Sequence, residues 1–303
     1  VAELTFRDWR DGDDLALLQI WGDPETGPAG QFRSVLRPPS DGPWSRCIVA
    51  EDQGIPVAAG AVYETSLHPE RLWLYVEVAK DHRRAGIGTA LLERLKAEAE
   101  HSPSGITRLR AKVEPGSSGA AFAAAAGLRP IQRSRVVVVQ PGALPAPRLG
   151  EEGGPVLDEA ATGSVELTQA VVQFYNAVHG WDRSEMTVGR AQQMLLAESA
   201  GASGAVVLRD APKEQGGRIG AFAISYTHSR TDAPSDVLLG YNPALGDAAA
   251  REAVAQLLAM LVHQYPVQLE VDDAMTAVTA VLEPLLAAGT ASVAGAETVI
   301  LSS

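Results

Sequence analysis

Residues 73–92 constrain this chain more than any other stretch. Leu74-Tyr-Val-Glu-Val-Ala-Lys-Asp-His-Arg83-Arg84-Ala85-Gly86-Ile87-Gly88-Thr89-Ala90-Leu91-Leu92 opens with strict alternation. Leu74, Val76 and Val78 face one side of a strand, and Trp73, Tyr75 and Glu77 face the other. From about Gly86 to Glu100 the period changes. Leu91, Leu92, Leu95 and Ala99 form one stripe of an amphipathic helix, while Glu93, Arg94, Lys96 and Glu98 fall off it as a solvated face. The turn between the two carries the chemistry. Gly86 and Gly88 remove side chains where a ligand must approach the backbone. The first N–H groups of a helix lack intrahelical partners, and the helix dipole adds partial positive charge there. A diphosphate fits such a place, and Arg83 and Arg84 can neutralise further phosphate charge.

Other glycine-rich patterns fit less well. A dinucleotide fingerprint needs a third glycine at position 91, which is Leu91. A P-loop needs lysine after its glycines, and Gly88-Thr89-Ala90 has none.

The rest of the chain reads as mixed α/β structure (α+β). Strands are expected at 3–8, Cys47–Glu51, Pro56–Thr65, Arg71–Ala79, Thr107–Glu114 and Arg135–Gln140, with Asp52-Gln53-Gly54 as a hairpin turn. Helices are expected at Asp11–Trp21 and Ser117–Ala126, and Leu15, Leu17, Leu18 and Ile20 of the first are available for burial. Asp23–Trp44, rich in Pro, Gly and Ser, reads as irregular structure or a short broken helix. Pro141–Pro155 holds four prolines and four glycines and reads as a linker. The second half repeats the element order. Ala205–Arg209, Arg218–Thr227, Val237–Tyr241, a helix from about Asp247 to Gln264, Pro266–Asp272 and Thr298–Leu301 follow at offsets of about 160 residues. With 303 residues, two domains are expected: 1–140 and 156–303, joined by the linker 141–155.

Residues 3–140 resemble the GNAT acetyltransferase superfamily. The family pattern Val-x-Pro-x-x-Arg/Gln-x-x-Gly-x-Gly/Ala appears as Val78-Ala-Lys80-Asp-His-Arg83-Arg-Ala-Gly86-Ile-Gly88, with Lys80 replacing the frequent proline. The resemblance implies two tandem GNAT-like domains, each a mixed, mostly antiparallel twisted sheet flanked by helices. It implies acetyl-CoA as cosubstrate and no metal. The pantetheine arm would pair with the backbone around Val76–Val78, and the turn Arg83, Arg84, Ala85, Gly86, Ile87, Gly88 and Thr89 would hold the pyrophosphate. Acyl transfer would proceed by direct attack of an amine, with the acetyl carbonyl polarised by a backbone N–H near Val78.

The usual acid position departs from the family. Aligning Val113, Phe122 and Gly127 puts Gly116 where an asparagine is frequent, and Ala123 where a tyrosine commonly protonates the leaving thiolate. Glu77, beside the expected acetyl position, is the candidate general base. Tyr75 on the same face is an alternative acid or pocket wall. Glu114 is a third candidate, and His82 reads as surface. Aligning Pro243 with Lys80 sets Gly246, Ala249 and Arg251 against Arg83, Gly86 and Gly88, so the second domain is not expected to bind CoA in the normal way. Covering the active site, shaping the amine pocket and mediating dimerisation stay open as its roles. Phe174, Tyr175, His179 and Trp181 either line a pocket or form the packing face of one helix.

Composition sets outer limits. The net charge of −12 argues against non-specific nucleic-acid binding. The single cysteine, Cys47, allows no intrachain disulfide and reads as a small buried residue. No signal pattern and no apolar run of membrane-spanning length is found, so a cytoplasmic enzyme without membrane partners is expected. Two functional expectations stand beside each other, with a vestigial interaction module as a third. One is an N-acetyltransferase acting on a small-molecule amine or amino terminus, with homodimerisation left open. The other is a non-catalytic acyl-CoA-binding or regulatory protein.

Overall fold

Short apolar runs punctuated by glycine and proline become strands throughout, as their alternation demands. The computed structural model describes residues 4–25, 27–147, 149–150, 154–182, 185–227 and 233–303. Positions 148 and 151–153 of the expected linker lie outside the described residues. The chain divides into two compact units, residues 1–131 with 298–303, and residues 132–297.

Unit 1 contains β1 (Leu4–Asp8), α1 (Asp13–Trp21), α2 (Gly27–Arg33), β2 (Ser40–Asp41), β3 (Trp44–Asp52), β4 (Ile55–Tyr63), β5 (Leu72–Val78), α3 (Ile87–Ala99), β6 (Leu109–Val113) and α4 (Ser118–Ala125). β3 and β4 form an antiparallel hairpin, with Asp52 opposite Ile55. Gln53 and Gly54 both take positive φ, 53° and 80°, the two-residue turn whose twist matches the flanking strands. β1 lies antiparallel to β3, and β5 antiparallel to β4 from Trp73 to Val78. The parallel pairing of β5 with β6 is confined to Leu72 and Trp73. Beyond Trp73 the two strands separate, and this opening positions the site.

The sheet is packed on both faces. On one, Leu91, Leu92, Leu95 and Ala99 of α3 bury against Leu72, Leu74, Val62 and Ala58. A Cβ on Gly60 would stand 2.7 Å from Leu95 Cδ1 and 3.0 Å from the Tyr75 carbonyl, so the close seat of α3 requires glycine. On the other face Leu17 joins Trp9, Cys47, Val49, Ala59 and Ala61. Cys47 is a buried core residue, and burial pushes its thiol up to about 12. The expectation for α1 is corrected: only Leu17 is buried, while Leu15, Leu18 and Ile20 are exposed. Four apolar residues within six positions wrap more of a helix than one sheet face can cover.

Unit 2 repeats the plan. Its elements are β8 (Val156–Ala160), α5 (Val165–Val178), α6 (Val188–Ala191), β9 (Ala202–Arg209), β10 (Ile219–Tyr226), β11 (Ser235–Tyr241), α7 (Asp247–Leu261), β12 (Val267–Asp272) and α8 (Thr276–Ala288). β8, β9, β10 and β11 are successively antiparallel. β11 meets β12 in parallel only at Ser235 and Asp236, the same early separation as in unit 1.

Two strands, β7 (Arg129–Val139) and β13 (Ala291–Ser302), depart from the order read in the sequence. The run expected to finish the first domain, within Arg135–Gln140, instead pairs antiparallel with β12: Arg135 lies opposite Val271 and Val139 opposite Val267. The run expected to finish the second domain pairs antiparallel with β6, with Val299 opposite Val113 and Leu301 opposite Ala111. Val299 and Leu301 then bury with Ala111, Ala123 and Leu128. Each unit is thus completed by a strand from the other half of the sequence. The compact units therefore do not follow the expected divisions at 140 and 156. Val136–Val139 and Val299–Leu301 are both short continuous apolar runs, and nothing local in them specifies which sheet they join.

Candidate active site

The turn after β5 has the form its glycines suggest. Residues Lys80–His82 make one 3-10 turn. Arg84 and Gly86 then take left-handed backbone, with φ of 67° and 84°. For a non-glycine residue that conformation carries a cost, and such strain concentrates where backbone is arranged for a ligand. Gly86 is the N-cap of α3, and no side chain caps the helix. A Cβ on Gly86 would meet nothing within 4 Å, so the space over the helix start is open. A Cβ on Gly88 would fill the remaining gap, 3.5 Å from the Phe122 ring and 3.6 Å from Val78 Cγ2. The N–H groups of Ile87, Gly88 and Thr89 head the helix, beside an exposed Arg84 and Ala85. This is a ready site for an anion. Arg83 has a structural duty as well: its Nε donates to the Val78 carbonyl at 3.0 Å, and its Nη1 to Ser118 Oγ at 3.3 Å. It ties the end of β5 to the cradle and to α4.

Val76 and Val78 lie on the part of β5 that has left β6, so one backbone edge of this strand faces the opening. The opposite face of β5 looks toward α2. There Arg33 grips Glu77 with two hydrogen bonds, Nε to Oε2 at 2.9 Å and Nη2 to Oε1 at 2.7 Å. Tyr75 donates its hydroxyl to Glu77 Oε2 at 2.6 Å. Hydrogen bonding by Glu77 holds the Arg33 guanidinium above its ordinary value, against the effect of burial. Burial first, and the Glu77 charge next, push the Tyr75 phenol well up, so it stays protonated. A carboxylate offers about four lone-pair sites. Arg33 and Tyr75 use three on Glu77 and leave one for a further donor. Arg33 has no counterpart in the sequence reading, because it stands in the segment read as irregular.

A pocket of about 150 Å³ lies on this same face, lined by Phe32 and Val35, by Tyr63, Trp73 and Tyr75, and by Lys112. The Phe32 and Tyr75 rings sit 6.2 Å apart. Burial raises the Tyr63 phenol to about 12.

Other candidates fall elsewhere. His82 Nε2 stands 3.6 Å from Asp52 Oδ2, a partly exposed pairing outside the opening. Glu114 lies one residue past β6. Gly116, where the family has an asparagine, turns with φ of 74°, and Ser117 then caps α4 through the Ala120 N–H at 3.1 Å. Ala123 is packed in the small cluster with Leu128 and Val299.

In unit 2 the connection corresponding to the cradle is shorter. Residues 79–86 join β5 to α3, whereas residues 242–246 join β11 to α7, three fewer. Matching the helix starts sets Gly246 against Gly86. This corrects the alignment of Gly246, Ala249 and Arg251 with Arg83, Gly86 and Gly88, which assumed connections of equal length. Gly246 takes φ of −66°, so the left-handed turn is gone, and Asp247 opens the helix with a negative charge. The opening between β11 and β12 persists as a cavity of about 610 Å³, lined by Tyr241, Leu245, Asp247, Arg251 and Thr276 among others. Phe174 borders it and packs edge-on against Phe222 and Tyr241. Tyr175 stacks on His179 with ring centroids 4.1 Å apart, His179 approaches Trp181, and Trp181 donates to Gln132. Among the described residues no group of three or more acidic, histidine or cysteine side chains is placed to hold a metal ion. Nor is any helix among them long and apolar enough to cross a membrane.

Comparison with known proteins agrees with this geometry. Residues 43–126 match the acetyltransferase (GNAT) domain family, a span running from β3 to the end of α4 that includes the whole cradle. A GCN5-related N-acetyltransferase from Sphaerobacter thermophilus is similar in structure, with a TM-score of 0.60 at 16% identity, covering 99% of this chain and 95% of that one. A tandem GNAT protein from the clavulanic acid biosynthesis pathway gives 0.56 at 17% identity, covering 99% and 98%. A probable N-acyltransferase from Enterococcus faecalis V583 gives 0.58 at 9% identity, covering 100% of this chain and 72% of that one. No curated protein matches the sequence. Residues 43–126 thus carry the GNAT family's sequence pattern, and the fold along the whole chain is similar to that of tandem GNAT proteins.

Proposed function

We propose that this protein is an acetyl-CoA-dependent N-acetyltransferase, moving an acetyl group to the primary amine of a small molecule or an amino terminus. One observation carries the reading. The uncapped start of α3, with Gly86 left-handed and the space above it open, lies at the end of the strand edge freed where β5 leaves β6. Arg84, Ala85, Gly86, Ile87, Gly88 and Thr89 would hold the pyrophosphate, with Arg83 bracing the turn. The edge of Val76 and Val78 would take the pantetheine arm. Acetyl-CoA supplies an activated thioester whose carbonyl carbon an amine nitrogen attacks while the carbon–sulfur bond breaks.

The chain's own residues then have definite work. Glu77 uses its remaining lone pair to accept the ammonium proton, directly or through water. Arg33 fixes the carboxylate in place. Tyr75, kept neutral, orients the second oxygen. Unit 2 does not bind CoA in the normal way, because its shortened turn lacks the left-handed glycine and places Asp247 where phosphate charge would sit.

A second reading has its own support. Ala123 gives the leaving thiolate no acid at that position, and Arg33 already occupies much of Glu77, as in a CoA-binding protein without turnover. One pair of measurements separates the readings. Calorimetry with acetyl-CoA reads the cradle, and thiol release across a panel of amines reads transfer. Tight binding with no thiol release from any amine would select the non-catalytic protein. No binding would overturn both.

A further inference from the structure

The pocket on the Glu77 face of unit 1 carries a charge that no ion pair among the described residues answers. Lys112 is half-buried on β6, just past the last residue that pairs with β5. Alternation places it on the same face as Arg110, whose guanidinium carbon sits 4.2 Å from the Trp73 ring centre. Lys112 lines the pocket together with Phe32, Tyr63, Trp73 and Tyr75. These are aromatic walls, and the one full charge among the lining side chains is the Lys112 ammonium. The neighbouring ionic groups are already committed. Glu77 is held by Arg33 and Tyr75. Arg110 is fully buried and donates to Thr65 Oγ1 at 2.8 Å and to the His68 carbonyl at 3.1 Å. Elsewhere in unit 1 the lysines have carboxylates at hand: Lys80 meets Glu25 and Lys96 meets Glu93. Lys112 forms no ion pair with a described residue. A half-buried ammonium in an aromatic pocket is costly without a counter-charge. In a protein of net charge −12, this face carries Arg33, Arg110 and Lys112.

From this juxtaposition we infer that the acceptor is an amine that also carries a carboxylate, an amino-acid-like molecule, and that Lys112 binds the carboxylate while Glu77 receives the ammonium. The inference rests on the acetyltransferase reading and narrows its acceptor. The pocket is the right size for such an arm: about 150 Å³ is room for a group of a few heavy atoms, where one water takes about 30 Å³ of liquid. Lysine is a point charge on a flexible stem, and it accommodates carboxylates at a range of distances from the amine. Lys112 is thus a specificity residue, and it takes no part in the proton transfer. A site built to pair a group discriminates strongly against the analogue lacking it, because the site's own polar group is then left unpaired. The net positive pocket also turns away diamines, whose second ammonium meets Lys112 at close range.

The test uses matched pairs: amino acids of increasing chain length, each beside its uncharged amide, with one diamine and one aminoalkyl phosphate. Thiol release with the wild-type protein is expected to favour the acid over its amide by about 10- to 100-fold in kcat/KM, expressed in KM. Lys112→Met keeps the apolar stem and is expected to abolish this preference while leaving acetyl-CoA affinity and the melting temperature unchanged. Lys112→Glu is expected to reverse it toward the amide and the diamine. Preference of the wild type for the amide or diamine, or an acid preference that survives Lys112→Met, would overturn the inference. A stronger preference for the phosphate than for any carboxylate would overturn the choice of carboxylate. Calorimetry of the same pairs on the CoA-saturated protein reads the pocket without turnover. Acid-selective binding without any acetyl transfer would sink the acetyltransferase reading and leave the pocket assignment standing. Binding that ignores the acid group, or no binding by either member of the pairs, would overturn the assignment itself.

Discussion

Gly86→Asp is the sharpest perturbation of the cradle, because the structure separates its effect on the ligand from its effect on the fold. A Cβ at Gly86 meets no protein atom within 4 Å, so the new side chain enters open space. The backbone there has φ of 84°, which asparagine and aspartate tolerate better than other non-glycine residues, at a cost of about 1 kcal/mol. The aspartate points into the volume assigned to the pyrophosphate. A carboxylate about 5 Å from a diphosphate of charge about −2, at an effective dielectric of about 40, costs about 3 kcal/mol. The same carboxylate also takes up the favourable potential of the helix start. Affinity for acetyl-CoA should therefore fall on the order of 100-fold or more, read by isothermal calorimetry at low salt, with the circular dichroism spectrum unchanged. Gly86→Ala, which adds strain without charge, should lose far less. If Gly86→Asp stays folded and binds acetyl-CoA within about threefold of the wild type, the pyrophosphate does not sit at the start of α3.

Three further perturbations address Glu77 and the ion pairs of unit 1. Glu77→Gln should depress turnover most at low pH, where the amine arrives protonated; an unchanged pH–rate profile would remove Glu77 from proton transfer. Arg33→Met leaves a carboxylate only 16% exposed without its cation, and should cost about 2–4 kcal/mol in urea unfolding; an unchanged unfolding midpoint would refute the pairing. Asp13 is buried beside Arg7, which reaches both its oxygens at 2.7 Å. Burial alone would raise the Asp13 carboxyl, but the hydrogen bonds from Arg7 and the Arg10 N–H outweigh it and hold the group below its ordinary value. A carboxyl lowered on folding stabilises fully above its unfolded pKa of about 4, and the contribution fades as pH falls through the folded value. The stability gap between wild type and Asp13→Asn should thus be flat near neutrality and shrink below about pH 4; a gap independent of pH would refute the pairing.

What the sequence made legible was local. The cradle is written within about a dozen residues, and the spacing of Arg83, Gly86 and Gly88 between a period-two and a period-3.6 segment needs no tertiary knowledge. The hairpin turn at Gln53 and Gly54 was readable for the same reason. The partner of Glu77 was not, because Arg33 lies 44 positions away on a short helix whose Pro- and Gly-rich surroundings suggest a loop. Lys112 reads as an ordinary strand residue until the early separation of β5 from β6 shows which face it lines. The second cradle was misregistered because a three-residue shortening leaves no mark in a chain compared at a constant offset. The exchange of the final strands is invisible in the sequence, since Val136–Val139 and Thr298–Leu301 are short continuous β-branched and apolar runs of the same length.

That exchange has a consequence for synthesis and assembly. The Leu109 N–H is bonded to Ser303 across 194 positions, and Val299 and Leu301 supply apolar area that covers β6. A nascent chain that has just produced the turn before α3 therefore has the whole of unit 2 still to be translated before its first sheet can close. Loops of this length close slowly, and an uncovered strand edge attracts other chains in the interval. Truncation within 141–155 would release a first half that keeps every cradle residue and lacks its last strand. Protein expressed that way should aggregate or bind chaperones, and adding back the second half as a separate chain should rescue it.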